Sequence, residues 1–205
     1  MPAKSPPSGL VVCLPARAPK LRRRSKRALF VRWNYAAEDP SPSRDRNLAR
    51  YARAVSATVR IEPITASQLE RLLPMIAAYQ RFYEVAEIDE QRNREFFKRF
   101  IAPSEDGMLL GAWNEGELLG YACLYWHFTS LVPAEIVLIN DLFVAEAARG
   151  QGIGRSLIEA SADVARHRGA HHLEWATAPD NKTAQRLYDS TGATRSTWIE
   201  YELRL

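Results

Sequence analysis

The sequence predicts one α/β (α+β) domain, a mixed sheet with helices in the order β-α-α-β-β-β-α-β-α-β, behind a basic N-terminal extension. Three observations predict it. Apolar residues over 57–205 alternate between strand spacing and helical spacing. Asn114-Glu115-Gly116 punctuates two long apolar runs and marks a β-hairpin. A glycine-rich turn after Val144 joins a strand to a helix.

The elements run in order along the chain. Val59 and Ile61 alternate with Thr58, Arg60 and Glu62, which suggests a short strand. Thr65-Ala66-Ser67-Gln68 reads as a capping box. Leu69, Leu72, Leu73, Ile76 and Tyr79 then recur at helical spacing, with Pro74 expected to kink or interrupt the helix. Asp89 can cap a second helix with Phe96, Phe97, Phe100 and Ile101 on one face. Met108 to Trp113 and Leu118 to Phe128 form the hairpin strands, and Ile136 to Val144 is another apolar strand. Ile153, Leu157, Ala160 and Val164 mark a helix that Gly169 can end. His172 to Ala176 reads as a strand, Asp180 as the cap of a helix through Tyr188, and Gly192 as its stop. Ile199, Tyr201, Leu203 and Leu205 alternate with polar partners, which predicts a half-buried final strand.

Composition bounds the class. A chain of 205 residues with two cysteines is no disulfide scaffold, and no apolar run approaches the roughly 20 residues of a membrane span. The net charge of +4 conceals a division. Residues 1–55 hold 13 Lys and Arg against 3 Asp and Glu, a net +10. The remaining 150 hold 15 against 21, a net −6. Seven of the 12 prolines lie in the first 42 residues, where no periodic pattern survives. We therefore divide the chain into a disordered basic extension, 1–55, and a folded domain, 56–205. Arg22-Arg23-Arg24-Ser25-Lys26-Arg27 could touch nucleic acid or an anionic surface, but arginines alone supply phosphate contacts without base selectivity. A secretory signal fits badly, because the short apolar run 9–14 precedes the basic cluster. A transit peptide fits the composition better, but early prolines oppose the helix it needs. A start site placed too far upstream is a third reading, since pattern begins abruptly after Val55. The expected location is the cytoplasm, with no membrane and no nucleic-acid partner.

Val144-Ala145-Glu146-Ala147-Ala148-Arg149-Gly150-Gln151-Gly152-Ile153-Gly154-Arg155-Ser156 is the most informative segment. Glycines at every second position let backbone approach a ligand, and the helix after them aims free N–H groups at an anion such as a pyrophosphate. A dinucleotide fingerprint would need glycine at Arg155, and a P-loop would need lysine there. Arg149-x-x-Gly152-x-Gly154 is the spacing that fits. A glycine-eased turn with no ligand is the plainer alternative.

With these residues the sequence resembles the GNAT superfamily of N-acetyltransferases. Arg149-x-x-Gly152-x-Gly154 matches its acetyl-CoA motif, and Asn181-x-x-Ala184-x-x-Leu187-Tyr188-x-x-x-Gly192-Ala193 matches its second core motif. Asn140-Asp141-Leu142-Phe143-Val144 leading into the glycine turn looks most like spermidine/spermine and diamine acetyltransferases. The resemblance covers about 57–205 and implies a mostly antiparallel central sheet flanked by helices. It implies that backbone of Leu142, Phe143 and Val144 pairs with the pantetheine arm. It implies that Arg149 and the amides of Gly150, Gln151, Gly152, Ile153, Gly154 and Arg155 hold the pyrophosphate. Asn181 would contact the cofactor, and Tyr188 would stand beside the thioester sulfur as general acid. It further implies acetyl-CoA as co-substrate, no metal, and a homodimer. Where the polyamine enzymes carry glutamate before the aspartate, this chain has Asn140, which cannot act as a base. The base duty then falls to Asp141, Glu135 or a water chain.

The chemistry suits these residue types. An alkylammonium, with a pKa near 10.4, must lose its proton before it attacks a thioester. A carboxylate or ordered water can take that proton, and a strand N–H can stabilise the resulting oxyanion. The expected acceptor is a small cationic amine: a polyamine, diamine or amino-acid-like metabolite. A protein lysine or N-terminus, or a nucleic-acid-associated acyl-CoA-binding role using the basic extension, are the alternatives. His171 and His172, adjacent on a strand, should face opposite ways and not pair for a metal. His127 reads as strand packing, and Cys123 as a small buried hydrophobe. Asn181-Lys182-Thr183 is formally a glycosylation sequon without a secretory signal to support it.

Overall fold

A computed structural model of the chain describes residues 48–54 and 59–203. The basic cluster, Cys13 and most of the predicted extension lie outside these residues. Six strands form one sheet in chain order: β1 (Arg53–Ala54), β2 (Val59–Pro63), β3 (Gly107–Asn114), β4 (Glu117–Thr129), β5 (Ala134–Val144) and β6 (Leu173–Trp175). Every neighbouring pair is antiparallel except β5 and β6, which run parallel. Helices α1 (Leu69–Phe82) and α2 (Glu90–Phe97) connect β2 to β3, α3 (Ile153–His167) crosses from β5 to β6, and α4 (Lys182–Asp189) comes after β6.

Strand alternation divides the core in two. Leu110, Ala112, Ala122, Leu124, Val137 and Ile139 pack under Ile153, Leu157 and Val164 of α3. Leu109, Tyr121 and Cys123 point the other way, under Leu72 and Ile76 of α1 and Phe97 of α2. The local signals act as their chemistry dictates. Thr65 N–H donates to Gln68 Oε1 at 2.8 Å, and Asp89 Oδ1 accepts the Arg92 N–H at 2.9 Å to start α2. Glu115 and Gly116 are both left-handed (φ 46° and 86°), the conformation a two-residue hairpin needs. Gly169 ends α3 at φ 70°.

Five expectations are corrected. Pro74 does not interrupt α1, because it faces solvent, where water can take the carbonyl left without an N–H partner. The cap of α4 is Asn181, not Asp180: its Oδ1 accepts the Ala184 N–H at 3.1 Å. The predicted last strand is absent over 193–203. Ile199 and Tyr201 are 80% and 92% exposed there; alternation specifies a face to bury but not an edge to pair with. His171 and His172 precede β6 and so escape strand alternation; their Nδ1 atoms meet at 2.9 Å. Finally, ordered structure begins ahead of residue 56. Tyr51 is buried, β1 pairs with β2, and Arg53 bridges to Glu159 and Asp163 of α3 at 2.7 and 3.0 Å.

Candidate active site

The site begins with an irregularity in β5. Cys123 of β4 lies opposite Asp141, but the next residue, Leu124, lies opposite Ile139. Asn140 is therefore an extra residue, a bulge that re-aims the strand beyond it. The bulge sets Asp141 on the α1/α2 face, 5% exposed, beneath Tyr121. Tyr121 Oη donates to Asp141 Oδ2 at 3.3 Å, and Asn140 Nδ2 donates to Oδ1 at 3.0 Å. Burial pushes the Asp141 carboxyl up to about 6, while hydrogen bonds from Tyr121, Tyr79 and Asn140 pull it partway back. Burial and the Asp141 charge hold Tyr79 and Tyr121 far above the ordinary tyrosine range, so both stay protonated donors.

Asp141 opens onto a cavity of about 320 Å³ between α1, α2, β4 and β5. Tyr79, Phe96, Phe97 and Tyr125 wall it, and Arg92 stands on its α2 side. Gln80 and Asn93 close on each other in two 2.8 Å hydrogen bonds that join α1 to α2.

A cleft lies on the other side of Asp141. The β5–β6 ladder covers only Val137–Ile139, after which the strands part. Leu142, Phe143 and Val144 are half-buried and pair with β4 alone, leaving one backbone edge able to accept an extended ligand. The chain then turns into α3. Gly150 and Gly152 are left-handed (φ 78° and 80°), and a Cβ at either would meet nothing within 4 Å. The first amide of α3 with a partner inside the turn is Ser156, bonded to Gly152 O at 3.1 Å; those of Ile153, Gly154 and Arg155 begin the helix. Helix-start amides with open space beside them suit a pyrophosphate. Gly154 differs from its neighbours: a Cβ there would lie 3.0 Å from Leu187 and 3.8 Å from Val144, so it permits α3 to pack on α4 and β5.

The remaining predicted residues take distinct places. Arg149 Nε donates to Val144 O at 3.2 Å, with its guanidinium 5.8 Å from the Phe143 ring. Gln151 Nε2 donates to Ala147 O at 3.3 Å, and the Ile153 side chain is core. Arg155 reaches Ser190 O and Oγ at 3.1 and 2.6 Å, and so ties α3 to the end of α4. Tyr188, on α4, meets Trp175 edge-on at 5.6 Å. Burial, with Tyr83 nearby, pushes it up to about 12, so it holds its proton at neutral pH. Glu135 is removed as a base: it pairs with the buried Arg168 at 2.7 Å, six residues along β5 from Asp141. His127 lies on β4 outside the cavity, and Cys123 is buried. Among the described residues no group of three or more His, Cys, Asp or Glu could hold a metal, and no helix is long and apolar enough to cross a membrane.

The sequence reading missed the aromatic shell. Tyr79 reads as the end of an apolar helix stripe, and Tyr121 as one strand aromatic among several. Tyr83 lies one turn beyond Tyr79, 4.9 Å between rings, and feels both Asp141 and Asp180. The spacing of 79 and 83 by four residues was the available signal.

Comparison with known proteins shows the family and the fold. The acetyltransferase (GNAT) family model matches residues 72–193. The chain is 30% identical over 148 residues to the uncharacterized N-acetyltransferase YhfO of Bacillus subtilis (strain 168), covering 72% of this chain and 98% of that protein. It is 39% identical over 94 residues to the D-amino-acid N-acetyltransferase HPA3 of Saccharomyces cerevisiae, covering 45% and 58%. A solved structure described as a probable acetyltransferase superposes with a TM-score of 0.64 at 28% identity, covering 71% of this chain and 97% of its own. The family uses acetyl-CoA as its acetyl donor. This chain belongs to the GNAT acetyltransferase family and is an N-acetyltransferase.

Proposed function

We propose that the chain moves an acetyl group directly onto the primary amine of a small metabolite, of polyamine, diamine or amino-acid type. The observation that carries this is Asp141, a buried carboxylate at the edge of the aromatic-walled cavity, with a carboxyl pushed up to about 6. An acceptor near that value can take a proton from a bound ammonium and is still ionised at neutral pH. In this reading Asp141 is the base. Tyr121, Tyr79 and Asn140 hold its oxygens in place while leaving it charged.

Acetyl-CoA, when bound, supplies the acetyl thioester. The free backbone edge of Leu142, Phe143 and Val144 would hold its extended arm, and the amides of 150–155 its pyrophosphate. The Arg149 side chain steadies the Val144 carbonyl at the rim. Arg155 acts through its amide, since its guanidinium is committed to Ser190. Asn181 caps α4 with its oxygen and keeps its amide group for the cofactor. Tyr188 holds a proton at Oη and would be the residue to supply it to the thiolate released from bound acetyl-CoA. The sequence relative HPA3, named for D-amino acids, supports a small amine as acceptor.

The test is a panel of amines assayed for acetyl-CoA-dependent thiol release. Asp141→Asn should lower turnover by about 10²–10⁴-fold on the best amine. Turnover within about threefold of the unaltered chain would refute Asp141 as base.

A further inference from the structure

Among the described residues that line the acceptor cavity, one is an acid and one a base, and they come from different elements. Asp141 comes from β5, and Arg92 comes from the first turn of α2. The surfaces between them are mainly aromatic and apolar: Tyr79, Phe96, Phe97 and Tyr125. Gln80 and Asn93 also line the cavity, but their amides satisfy each other. Polar recognition from the α2 side therefore falls to Arg92. Its guanidinium is uncommitted enough to serve. Its ionic partner among the described residues is Asp89, at a loose 3.6 Å, and Asp89 already caps the helix through the other oxygen.

This charge arrangement discriminates between amines. A diamine or polyamine that placed one nitrogen at Asp141 would bring its second cation into a cavity whose other charge is also positive. Among the described residues, no second carboxylate lines the cavity to receive it. A molecule carrying a carboxylate besides its amine meets the opposite charge at both ends. Guanidinium and carboxylate also match in shape, each able to make two parallel hydrogen bonds.

We propose that the acceptor is an amino acid or a close carboxylate-bearing analogue, with Arg92 holding the carboxylate and Asp141 facing the amine. Arg92 is then the residue that sets specificity. At its end of the ligand the inference rests on the cavity's own charges; at the reacting end it rests on the acetyl-transfer reading above.

The test uses the full chain with matched amines differing only in a carboxylate: alanine and ethylamine, phenylalanine and 2-phenylethylamine, lysine and 1,5-diaminopentane, both enantiomers of each amino acid included. The best amine should carry a carboxylate and exceed its decarboxylated partner about tenfold or more in kcat/KM. Arg92→Ala should shrink that ratio to about twofold, mainly through KM, and Arg92→Lys should restore part of it. Arg92 is 75% exposed in its side chain, so these variants should melt with the parent chain. A decarboxylated partner that performs as well or better overturns the inference, as does a ratio that survives Arg92→Ala. If no amine in the panel is acetylated, the acetyl-transfer reading fails separately. Calorimetric titration of the same pairs then decides the inference: carboxylate-dependent binding lost in Arg92→Ala upholds it, and binding that ignores either group overturns it.

Discussion

Asp141 illustrates what a single residue costs the fold and returns in chemistry. The folded carboxyl keeps its proton up to about 6, whereas an unperturbed one releases it near 3.8. Between those values the native state binds more protons than the unfolded state, so stability falls as pH rises through this window. Asp141→Asn removes that loss. The variant should be more stable than the parent by about 2–3 kcal/mol above about pH 6 and equal to it below about pH 4. Denaturant melts at the two pH extremes measure the difference, and equal stability at both would contradict the burial argument. Tyr188 poses the complementary case, an acid that stays protonated because it is buried. Tyr188→Phe should cut turnover by about 10²–10⁴-fold while acetyl-CoA binding changes little. Stopped-flow turnover beside calorimetric titration separates these effects, and unchanged turnover would remove Tyr188 from the mechanism. Neither assignment depends on Asn140 having charge. Its amide donates to Asp141, so an asparagine where the polyamine enzymes have glutamate fixes the position of the neighbouring carboxylate.

At the level of elements, the turn from β5 into α3 separates two uses of glycine. Gly152 supplies a left-handed residue, and Gly154 supplies a missing side chain against Leu187. Gly154→Ala should destabilise by about 1–3 kcal/mol as α4 is pushed away, taking Tyr188 with it. Leu187→Ala in the same chain should recover part of that loss, because the two side chains compete for one space. Thermal melts of the two single variants and the double variant test this; simple additivity would show that α4 is not pinned there. Much of this segment was legible in the sequence, because a glycine turn and a helix start are local features. The bulge at Asn140 was not, since it exists only as a mismatch between β4 and β5. The shift of the α4 cap from Asp180 to Asn181 was equally hidden: either residue type can cap, and backbone geometry decides between neighbours. The final strand failed for a related reason, since β6 runs for only three residues.

For the whole molecule, the sheet acts as a partition, with one core under α3 and the other under α1 and α2. Where β5 and β6 part, Tyr79 from α1 and Tyr121 from β4 meet Asp141 of β5, and Tyr188 of α4 packs against Trp175 of β6. Sequence periodicity reveals each element and its buried face, but it cannot show that tyrosines 42 residues apart meet one carboxylate. Residues ahead of the predicted domain boundary also contribute. A chain shortened to begin at residue 56 loses Tyr51 from the α3-side core and the Arg53 bridge to α3. It should be less stable by about 2–4 kcal/mol than one that begins at residue 46, as read by urea denaturation. Equal stability would return the boundary to 56. The central claim, that a buried carboxylate set by this convergence takes the proton from the amine, has a direct readout in the pH dependence of kcat/KM. Because only the ionised Asp141 can accept a proton, kcat/KM should fall tenfold per unit below about pH 6, and Asp141→Asn should lack that inflection. A native profile with no acid limb near 6, or the same limb persisting in Asp141→Asn, would contradict it.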